Sequence, residues 1–525
     1  FLRMFPSIVL PMFIAVMDQT IVATALPAIA VALDDVERIA WVVVAYLVAL
    51  TVAVVIAGRL GDSHGLKPML LVGLSLFAVA SLICGIAPNL WLLIGARALQ
   101  GIGAAFMMPA TLSIITNAFP PQERGKAIGT WAGVSAMALA IGPVVGGFLT
   151  EQVSWRAIFF LNLPVAVGAI VVTLFATRES RDETVERSID VPGIATLTIG
   201  LGALVLALVE GNQWGWGSPE IIALFVTAAI GIVAFHVVEM RQRVPMVDFA
   251  FFKSRSFLGA NIVAFSVSFA MLAMFFFIAL YMQNVRGYSP LEAGVRFLPS
   301  TAVIIIMGPI AGRLADRVGP RPLMTVGLAI VSVSLFVQSF LAPDTPYGQL
   351  ALAFALMGFG MGLVMSPMST AAMNAVDQSK AGAASGVLSM SRMVGGTFGV
   401  AVMGALITTL GRSHLEDSLP AASGSQIDKL VDALAGGGAG IPGAAGAAVQ
   451  SAFLDAVNTA LKIGSGFALV GAVVAWLLID AIPAGERTNA ELPLGERIEL
   501  DLVEAGDAGG APQGEAAIEQ VLPEH

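Results

Sequence analysis

The residue in this sequence that could most readily do chemistry is Asp18, a carboxylate in the middle of the apolar stretch FIAVMDQTIVATALPAI (13–29). If this stretch crosses a membrane, an ionised carboxylate at its centre costs about 3 kcal/mol. A carboxyl group that alternates between apolar surroundings and a basic neighbour can bind a proton and release it again. Asp18 is therefore predicted to be a functional residue.

The elements that must position Asp18 are long apolar runs, which recur along the whole chain. Hydrophobic residues make up 57% of the 525 positions and charged residues 12%, against about 25% charged residues in soluble domains. Runs of roughly 20 apolar residues have the length of a helix that crosses a bilayer. We predict an all-α polytopic membrane protein. Its fourteen predicted spans are 5–28, 40–59, 68–87, 90–115, 127–150, 156–176, 191–209, 220–239, 257–283, 294–312, 323–341, 349–373, 382–408 and 457–480.

The loop charges predict the orientation of these spans. With the N-terminus in the cytoplasm, most Lys and Arg residues lie in cytoplasmic segments, as is usual for membrane proteins. Both termini are therefore expected to be cytoplasmic, in agreement with an even number of spans. The acidic segment 483–525 accounts for part of the net charge of −9 and is predicted to be a disordered cytoplasmic tail.

Two short loop segments repeat each other in the two halves of the chain. GRLGDSHGLKP (58–68) is matched by GRLADRVGPRP (312–322), and each copy joins two predicted spans. A carboxylate there can accept hydrogen bonds from the amides at a neighbouring helix N-terminus, and glycines permit a tight turn. We predict that the two copies form a gate at the cytoplasmic end. The predicted gate residues are Gly58, Asp62, Gly65, Lys67, Gly312, Asp316, Arg317, Gly319 and Arg321.

The repeat also predicts the domain organisation. Eight spans separate the two copies, so two spans are inserted between six-span halves that form parallel repeats. The predicted divisions are an N-terminal six-helix bundle (5–176), a linker with two inserted helices (177–255), and a C-terminal six-helix bundle (256–480) with an external loop (411–455).

The sequence lacks the motifs of several other function classes. It has no GxxxxGK[ST] loop for an ATP-driven pump and no HExxH metal motif. Four unpaired His residues and the single Cys84 do not suggest a metal site or an internal disulfide. We expect a transporter rather than an enzyme, with no cofactor, metal or nucleic-acid partner.

Several motifs along residues 5–480 resemble the major facilitator superfamily, in its fourteen-helix drug:proton antiporter branch. MDQTIVATALP (17–27) is similar to the helix-1 motif of this branch. Further stretches that resemble the branch are GARALQGIGAA (95–105), with Arg97 inside the membrane, WRAIFFLNLP (155–164) and SRMVGGTFG (391–399).

Two other resemblances concern the gate and helix 5. The loop repeat is similar to the gating motif of the superfamily, although Ser63 and Leu66 stand where basic residues are usual, which leaves mainly Lys67. GTWAGVSAMALAIGPVVGG (129–147) resembles the helix-5 motif of antiporters, which favours export over uptake. The residues that match this motif are Gly129, Gly142, Pro143, Gly146 and Gly147.

The resemblance implies a major facilitator fold in which two six-helix bundles rock around a central cavity. It also implies that hydrophobic, often cationic, compounds are exported in exchange for protons. We expect a monomer in a bacterial cytoplasmic membrane, with a small hydrophobic or amphipathic substrate and membrane lipid as partners. An exporter of an amphipathic lipid, a siderophore or a natural product would share this architecture, and an uptake symporter is a weaker alternative.

The implied fold places Arg97 near Asp18 as its partner in proton coupling, with a static ion pair between helices 1 and 4 as the alternative. Arg392 is expected either to face the cavity or to brace helices together with Asn374. The Met- and Phe-rich span 257–283 suits either apolar ligands or lipid. The residues predicted to line the cavity are Gln19, Gln100, Met107, Met271, Met274, Phe275, Asn374 and Arg392.

Overall fold

The computed structural model describes residues 5–35, 38–176, 190–243, 245–420, 422–436, 441 and 443–480. Its α-helices are α1 (Phe5–Leu33), α2 (Trp41–His64), α3 (Leu66–Ile86), α4 (Leu90–Ala118), α5 (Pro121–Gln152), α6 (Ala157–Ala176), α7 (Val191–Trp214), α8 (Pro219–Glu239), α9 (Arg255–Leu280), α10 (Pro290–Arg296), α11 (Leu298–Val318), α12 (Pro320–Gln338), α13 (Tyr347–Asn374), α14 (Ala381–Ser418), α15 (Gly424–Asp432) and α16 (Gly443–Leu478). The predicted tail (483–525) and the first part of the predicted linker (177–189) lie outside the described residues.

The membrane-spanning elements agree with the sequence prediction. Within the described ranges, 14 helices are long and apolar enough to cross a membrane, which confirms the all-α polytopic fold class. Helices are favoured because lipid offers no hydrogen-bond partner for the backbone, so N–H and C=O groups must pair within each span. The predicted span 294–312 is divided, because the short helix α10 ends at Arg296 and the spanning helix α11 begins at Leu298.

The segment predicted as an external loop at 411–455 is mostly helical. α14 continues to Ser418 and α16 begins at Gly443, with α15 between them. The sequence suggested a loop because Gly is a poor helix former, but Leu434 is buried against Gly411 and holds the segment on α14. With 38 residues, α14 is about 57 Å long and extends beyond the hydrocarbon region.

Helix packing produces two groups and a hairpin. The helices α1 to α6 pack mainly on one another, and so do α9, α11, α12, α13, α14 and α16. The two groups, called here the N-terminal and C-terminal bundles, meet along two seams, α2 with α14 and α5 with α11. The helices α7 and α8 form a hairpin, and α7 lies on both α2 and α14 at the first seam.

Glycines allow the two bundles to approach closely at both seams. Gly58 of α2 meets Gly382 of α14, and Gly129 of α5 meets Gly308 of α11. A Cβ at Gly58 or Gly129 would collide with the carbonyl oxygen of its partner across the seam. Small residues of this kind are the usual means of close helix packing in membranes.

The repeated loop motifs lie at one end of the bundles, which we call the motif end. Gly65 ends α2 with φ 104° and Gly319 ends α11 with φ 82°, values that strain other residues. The two glycines of the repeat are therefore needed for the sharp turns into α3 and α12. These turns bring the preceding carboxylates, Asp62 and Asp316, to the seams between the bundles.

Candidate proton site, gate and cargo cavity

The carboxylate of Asp18 is enclosed within the N-terminal bundle. α1 carries Asp18 and α4 carries Arg97, and their side chains are 0% and 1% exposed. Arg97 Nη1 lies 2.5 Å from Asp18 Oδ2, and Arg97 Nε donates to the carbonyl oxygen of Val42 in α2 at 3.1 Å. The structure therefore brings together the two residues that the sequence predicted as partners.

Neutral donors complete the surroundings of Asp18. Gln100 Nε2 and Asn162 Nδ2 donate to Asp18 Oδ1 at 3.0 Å and 2.9 Å. Gln100 Nε2 also donates to Ser81 Oγ at 2.7 Å. Gln100 lies one helical turn from Arg97 on α4 and is 0% exposed, so it belongs to the surroundings of the Asp18–Arg97 pair and does not line an open cavity in this structure.

Sequence reasoning missed Asn162 and Ser81. A signal existed for Asn162, since it is a polar residue inside the apolar stretch FFLNLP of α6, and polar residues within spans are expensive. Ser81 gives no comparable signal, because a hydroxyl within a span can bond to its own helix backbone.

Tyr46 of α2 covers Arg97 on a further side. Arg97 Cζ lies 4.3 Å from the centre of the Tyr46 ring, a favourable cation–π distance. The Tyr46 hydroxyl donates to the carbonyl oxygen of Ala15 at 3.2 Å. Gln19, which was predicted to line the cavity, is half-buried and forms a hydrogen bond with Tyr46. It therefore lies beside the Asp18–Arg97 pair.

This arrangement can respond to a single proton. A buried ion pair is tolerated only when further hydrogen bonds satisfy both charges, and ionised Asp18 accepts from Arg97, Gln100 and Asn162. Protonation of Asp18 would leave Arg97 as an uncompensated buried cation, which costs several kcal/mol, about 3–5 in comparable pairs. The helices that carry these residues, α1, α4 and α6, would then rearrange.

The two gate carboxylates each bind the start of a helix in the other bundle. Asp62 accepts hydrogen bonds from the amides of Gly382 and Ala383, both at 2.7 Å, at the N-terminus of α14. Asp316 accepts from the amide of Gly125 at 3.2 Å, near the N-terminus of α5. The sequence predicted such contacts, which a helix N-terminus favours by its partial positive charge. They hold the motif end closed in this structure.

Two basic residues of the predicted gate each contact a residue of their own bundle. Lys67 Nζ donates to the carbonyl oxygen of Leu174 at 2.9 Å, within the N-terminal bundle. Arg321 Cζ lies 4.1 Å from the centre of the Trp476 ring, within the C-terminal bundle. Lys67 is therefore not the cross-bundle latch that the sequence suggested, because its side chain extends away from the seam toward α6.

A basic residue outside the predicted set crosses the seam instead. Arg124 of α5 is buried, and its Nη1 donates to Asn374 Oδ1 at the end of α13, at 2.9 Å. Asn374 was predicted to line the cavity or to brace helices with Arg392. That prediction was wrong, because Asn374 is the last residue of α13 and lies at the motif end.

An ion pair outside the spans fixes the start of α14. Lys380 Nζ lies 2.6 Å from Asp248 Oδ2, in the segment before α9. Partial burial alone would raise the pKa of Asp248, but the hydrogen bond from Lys380 lowers it below its usual value. The pair supports the position of the α14 N-terminus that Asp62 binds.

The predicted antiporter residues of α5 divide between two contacts. Gly129 faces the seam with α11, whereas Gly142 and Gly146 face α1 and approach Thr20 and Thr24. A Cβ on Gly147 would meet no atom within 4 Å. Pro143 lies opposite Gly294 of α10, and a Cβ added to Gly294 would be 3.6 Å from the Cβ of Pro143. One helix thus packs both on α1, which carries Asp18, and on the other bundle.

Two methionines predicted to line the cavity lie inside the bundles. Met107 is 0% exposed and packs beside Gly73 of α3. Met274 is also buried, and with Leu335 and Met403 it lines a small cavity inside the C-terminal bundle. Both side chains lie within the packed interior, where Met fills irregular gaps, and their role in cargo binding stays a prediction.

The other two predicted residues of α9 are partly accessible. Met271 and Phe275 are half-buried, and the Phe275 ring packs edge-on at 4.9 Å from Phe297. Their helix presents apolar, adaptable side chains, and their role in cargo binding stays a prediction.

Arg392 differs from the other basic residues within the spans. It is half-buried on α14, and none of the described residues forms an ion pair or hydrogen bond with it. The predicted brace with Asn374 does not exist, because Arg392 lies three turns deeper along α14 than the motif end.

Comparisons with known proteins agree with this architecture. The Major Facilitator Superfamily model matches residues 8–400. The chain is 34% identical over 495 residues to the tetracenomycin C resistance and export protein of Streptomyces glaucescens, covering 91% of each. It is 35% identical to the multidrug resistance protein Stp of Mycobacterium tuberculosis, covering 78% of this chain and 77% of Stp.

Among solved structures, the proton:xylose symporter XylE is similar in fold, with a TM-score of 0.62 and 11% identity over 92% of this chain and 96% of XylE. The family model covers most of the chain, the two relatives cover 91% and 78% of it, and the fold is that of a solved transporter. The protein therefore belongs to the major facilitator superfamily and is a multi-pass membrane transporter rather than an enzyme.

Proposed function

We propose that the protein is a secondary active efflux transporter, which exports hydrophobic compounds in exchange for protons. The observation that carries this proposal is the buried Asp18–Arg97 pair with its neutral donors. A charge in the membrane is costly and is retained where it serves a proton or substrate pathway. The names of the relatives, which refer to export and to drug resistance, support efflux as the direction.

In the proposed cycle, the closed motif end faces the cytoplasm, as the loop charges predict. A proton that enters from outside neutralises Asp18 and releases Arg97, so that α1 and α4 shift relative to α5. The shift weakens the seam between α5 and α11, the gate contacts of Asp62 and Asp316 break, and the cavity opens to the cytoplasm. Release of the proton there restores the pair and returns the loaded cavity to the outside.

The setting of this cycle is also part of the proposal. We place the protein in the cytoplasmic membrane of a bacterium, as a monomer with both termini in the cytoplasm. Protons are the coupling ion, and no cofactor or metal takes part. Which charge the cargo carries depends on the charged side chains that it contacts in the protein.

The test is transport in proteoliposomes with an imposed pH gradient and a panel of fluorescent hydrophobic dyes. Asp18→Asn keeps the size of the side chain and removes its proton site, so we expect gradient-driven transport to be lost. Asp35→Asn is the matched control, because Asp35 forms an exposed ion pair with Arg38, and such pairs contribute about 1 kcal/mol or less. Gradient-driven transport that survives in Asp18→Asn would contradict the proposal.

A further inference from the structure

The residue that the proposed cycle leaves unused is Arg392. Its neighbours on α14 show that it faces an internal space rather than lipid. None of residues 381–408 is exposed, so this part of α14 does not lie on the outer surface. Residues 389–394 are nevertheless all half-buried. This stretch is therefore partly accessible although it does not face lipid, and Arg392 is in the middle of it.

Arg392 lies at the depth of the membrane centre, on the helix α14 that forms one of the two seams between the bundles. Arg392 is eleven residues from the start of α14 at Ala381, which is about 16 Å along a helix and about half of the hydrocarbon thickness. Residues seven apart share a helix face. On this face, Ser385 hydrogen-bonds to the carbonyl oxygen of Pro109 in α4, and Gly399 packs on α9 at Phe269.

Among the described residues, no carboxylate is paired with Arg392, and Glu210, which is buried on α7, lies near the end of that helix far from the motif end. Asp18 is the mid-depth carboxylate of the described spans, and it is enclosed and paired with Arg97. In the C-terminal bundle, Asp316 is at the motif end, and Asp455 lies beyond the opposite side of the hydrocarbon region. An Arg side chain stays charged in proteins, and a bare charge at the membrane centre is costly. A ligand that brings a negative charge would remove this cost.

Half-buried apolar residues within two turns of Arg392 along α14, and on α9 where it packs at Gly395, also limit the shape of such a ligand. Phe398 of α14 and Phe265 of α9 are half-buried, with their rings 5.8 Å apart. Met390 and Met393 flank Arg392 on the same half-buried stretch. Aromatic faces suit flat apolar ligands, and Met side chains adapt to varied shapes.

We propose that Arg392 is a specificity-determining residue that binds the anionic group of the cargo, and that the preferred cargo is a flat apolar compound with one carboxylate or acidic phenol. The guanidinium can donate two parallel hydrogen bonds to such a group. This inference rests on the proposed export function and names its substrate class. It differs from the cationic cargo that the sequence led us to expect.

The test measures equilibrium binding of three probes of equal size to the full chain in lipid nanodiscs. The probes are naphthoate, its neutral amide naphthamide, and the cation naphthylmethylamine. We expect the wild type to bind naphthoate most tightly, and Arg392→Gln to weaken naphthoate about tenfold or more. Naphthamide binding should change less than about twofold, and Arg392→Lys should restore much of the naphthoate affinity.

Lys462→Gln is the matched control, because Lys462 is a cation within a span of the same bundle but is exposed on its outer face, near Phe340. It should bind naphthoate as the wild type does. The inference is overturned if Arg392→Gln binds naphthoate as tightly as the wild type does. It is also overturned if the variant binds naphthamide more weakly to the same extent, since a parallel loss indicates a structural role of Arg392.

Binding at equilibrium needs no pH gradient, so the inference and the proposed function can fail separately. If naphthoate binds through Arg392 but a pH gradient does not drive it across proteoliposomes, the site stands and proton-coupled export is wrong. If the gradient drives dyes while Arg392→Gln does not affect naphthoate, export stands and the anion site is wrong.

Discussion

At the scale of single residues, Asp18 has hydrogen bonds from protein groups where an exposed carboxylate would have water. Its donors come from α4 and α6, with Arg97 on one oxygen and Gln100 and Asn162 on the other. The Asp18–Arg97 pair could be predicted because charges within apolar runs are conspicuous and few. Asn162 could not be paired with Asp18 from sequence, since the relative depth and rotation of α1 and α6 are set by packing.

Asn162→Leu tests whether the neutral donors matter for coupling. The substitution removes one hydrogen bond from ionised Asp18, and bonds to charged groups contribute about 1.5–3 kcal/mol. We expect gradient-driven transport in proteoliposomes to fall by about tenfold or more. Thr173→Val is the control, because Thr173 is also buried on α6 and its hydroxyl has no partner. Similar losses in both variants would show that the effect is general packing.

At the scale of elements, α5 connects the proton site to the seam between the bundles. Gly142 and Gly146 let it pack on α1, the helix of Asp18, while Gly129 lets it pack on α11. The sequence predicted that these glycines serve close packing, since small residues do so in membranes. It did not predict which helix each glycine packs on, because a row of glycines without side chains does not specify its neighbour.

Gly129→Ala tests the seam. The added Cβ would collide with the carbonyl oxygen of Gly308, and overpacking of this kind costs about 1–3 kcal/mol. We expect the closed motif end to lose population by roughly 5- to 150-fold relative to the open one. The measurement is the distance between spin labels on cysteines introduced at the exposed positions Glu123 and Gln378, since the native Cys84 is buried.

The control for this experiment is Gly147→Ala on the same helix, where the added Cβ has no neighbour within 4 Å. It should leave the label distance unchanged. If Gly129→Ala also leaves the distance unchanged, α5 and α11 do not separate when the motif end opens.

At the scale of the whole molecule, the motif end is closed by the same contact in both halves, a carboxylate that accepts hydrogen bonds from the start of a helix in the other bundle. Asp62 reaches from α2 to the start of α14, and Asp316 reaches from α11 to the start of α5. The sequence predicted the repeated carboxylates and the helix number. It did not predict the contact between Arg124 and Asn374, because these residues belong to no repeat and meet only when the bundles dock.

The unpaired charge of Arg392 has an electrical consequence for the complete cycle. One proton moving inward and one anion moving outward carry charge across the membrane in the same sense. The membrane potential then acts on two charges in each cycle, and it adds to the driving free energy about 2.3 kcal/mol per charge for each 100 mV. Exchange of a proton for a neutral compound would use one charge, and exchange for a cation would use none.

This difference can be measured with a potassium diffusion potential set by valinomycin at equal pH on both sides. We expect the potential alone to drive naphthoate in the direction of export, and to drive it to a steeper steady-state gradient than naphthamide. Equal responses of the two probes would contradict an anionic cargo. If naphthoate responds more strongly, the membrane voltage, and not only the acidity outside the cell, sets how low the cargo concentration in the cell can fall.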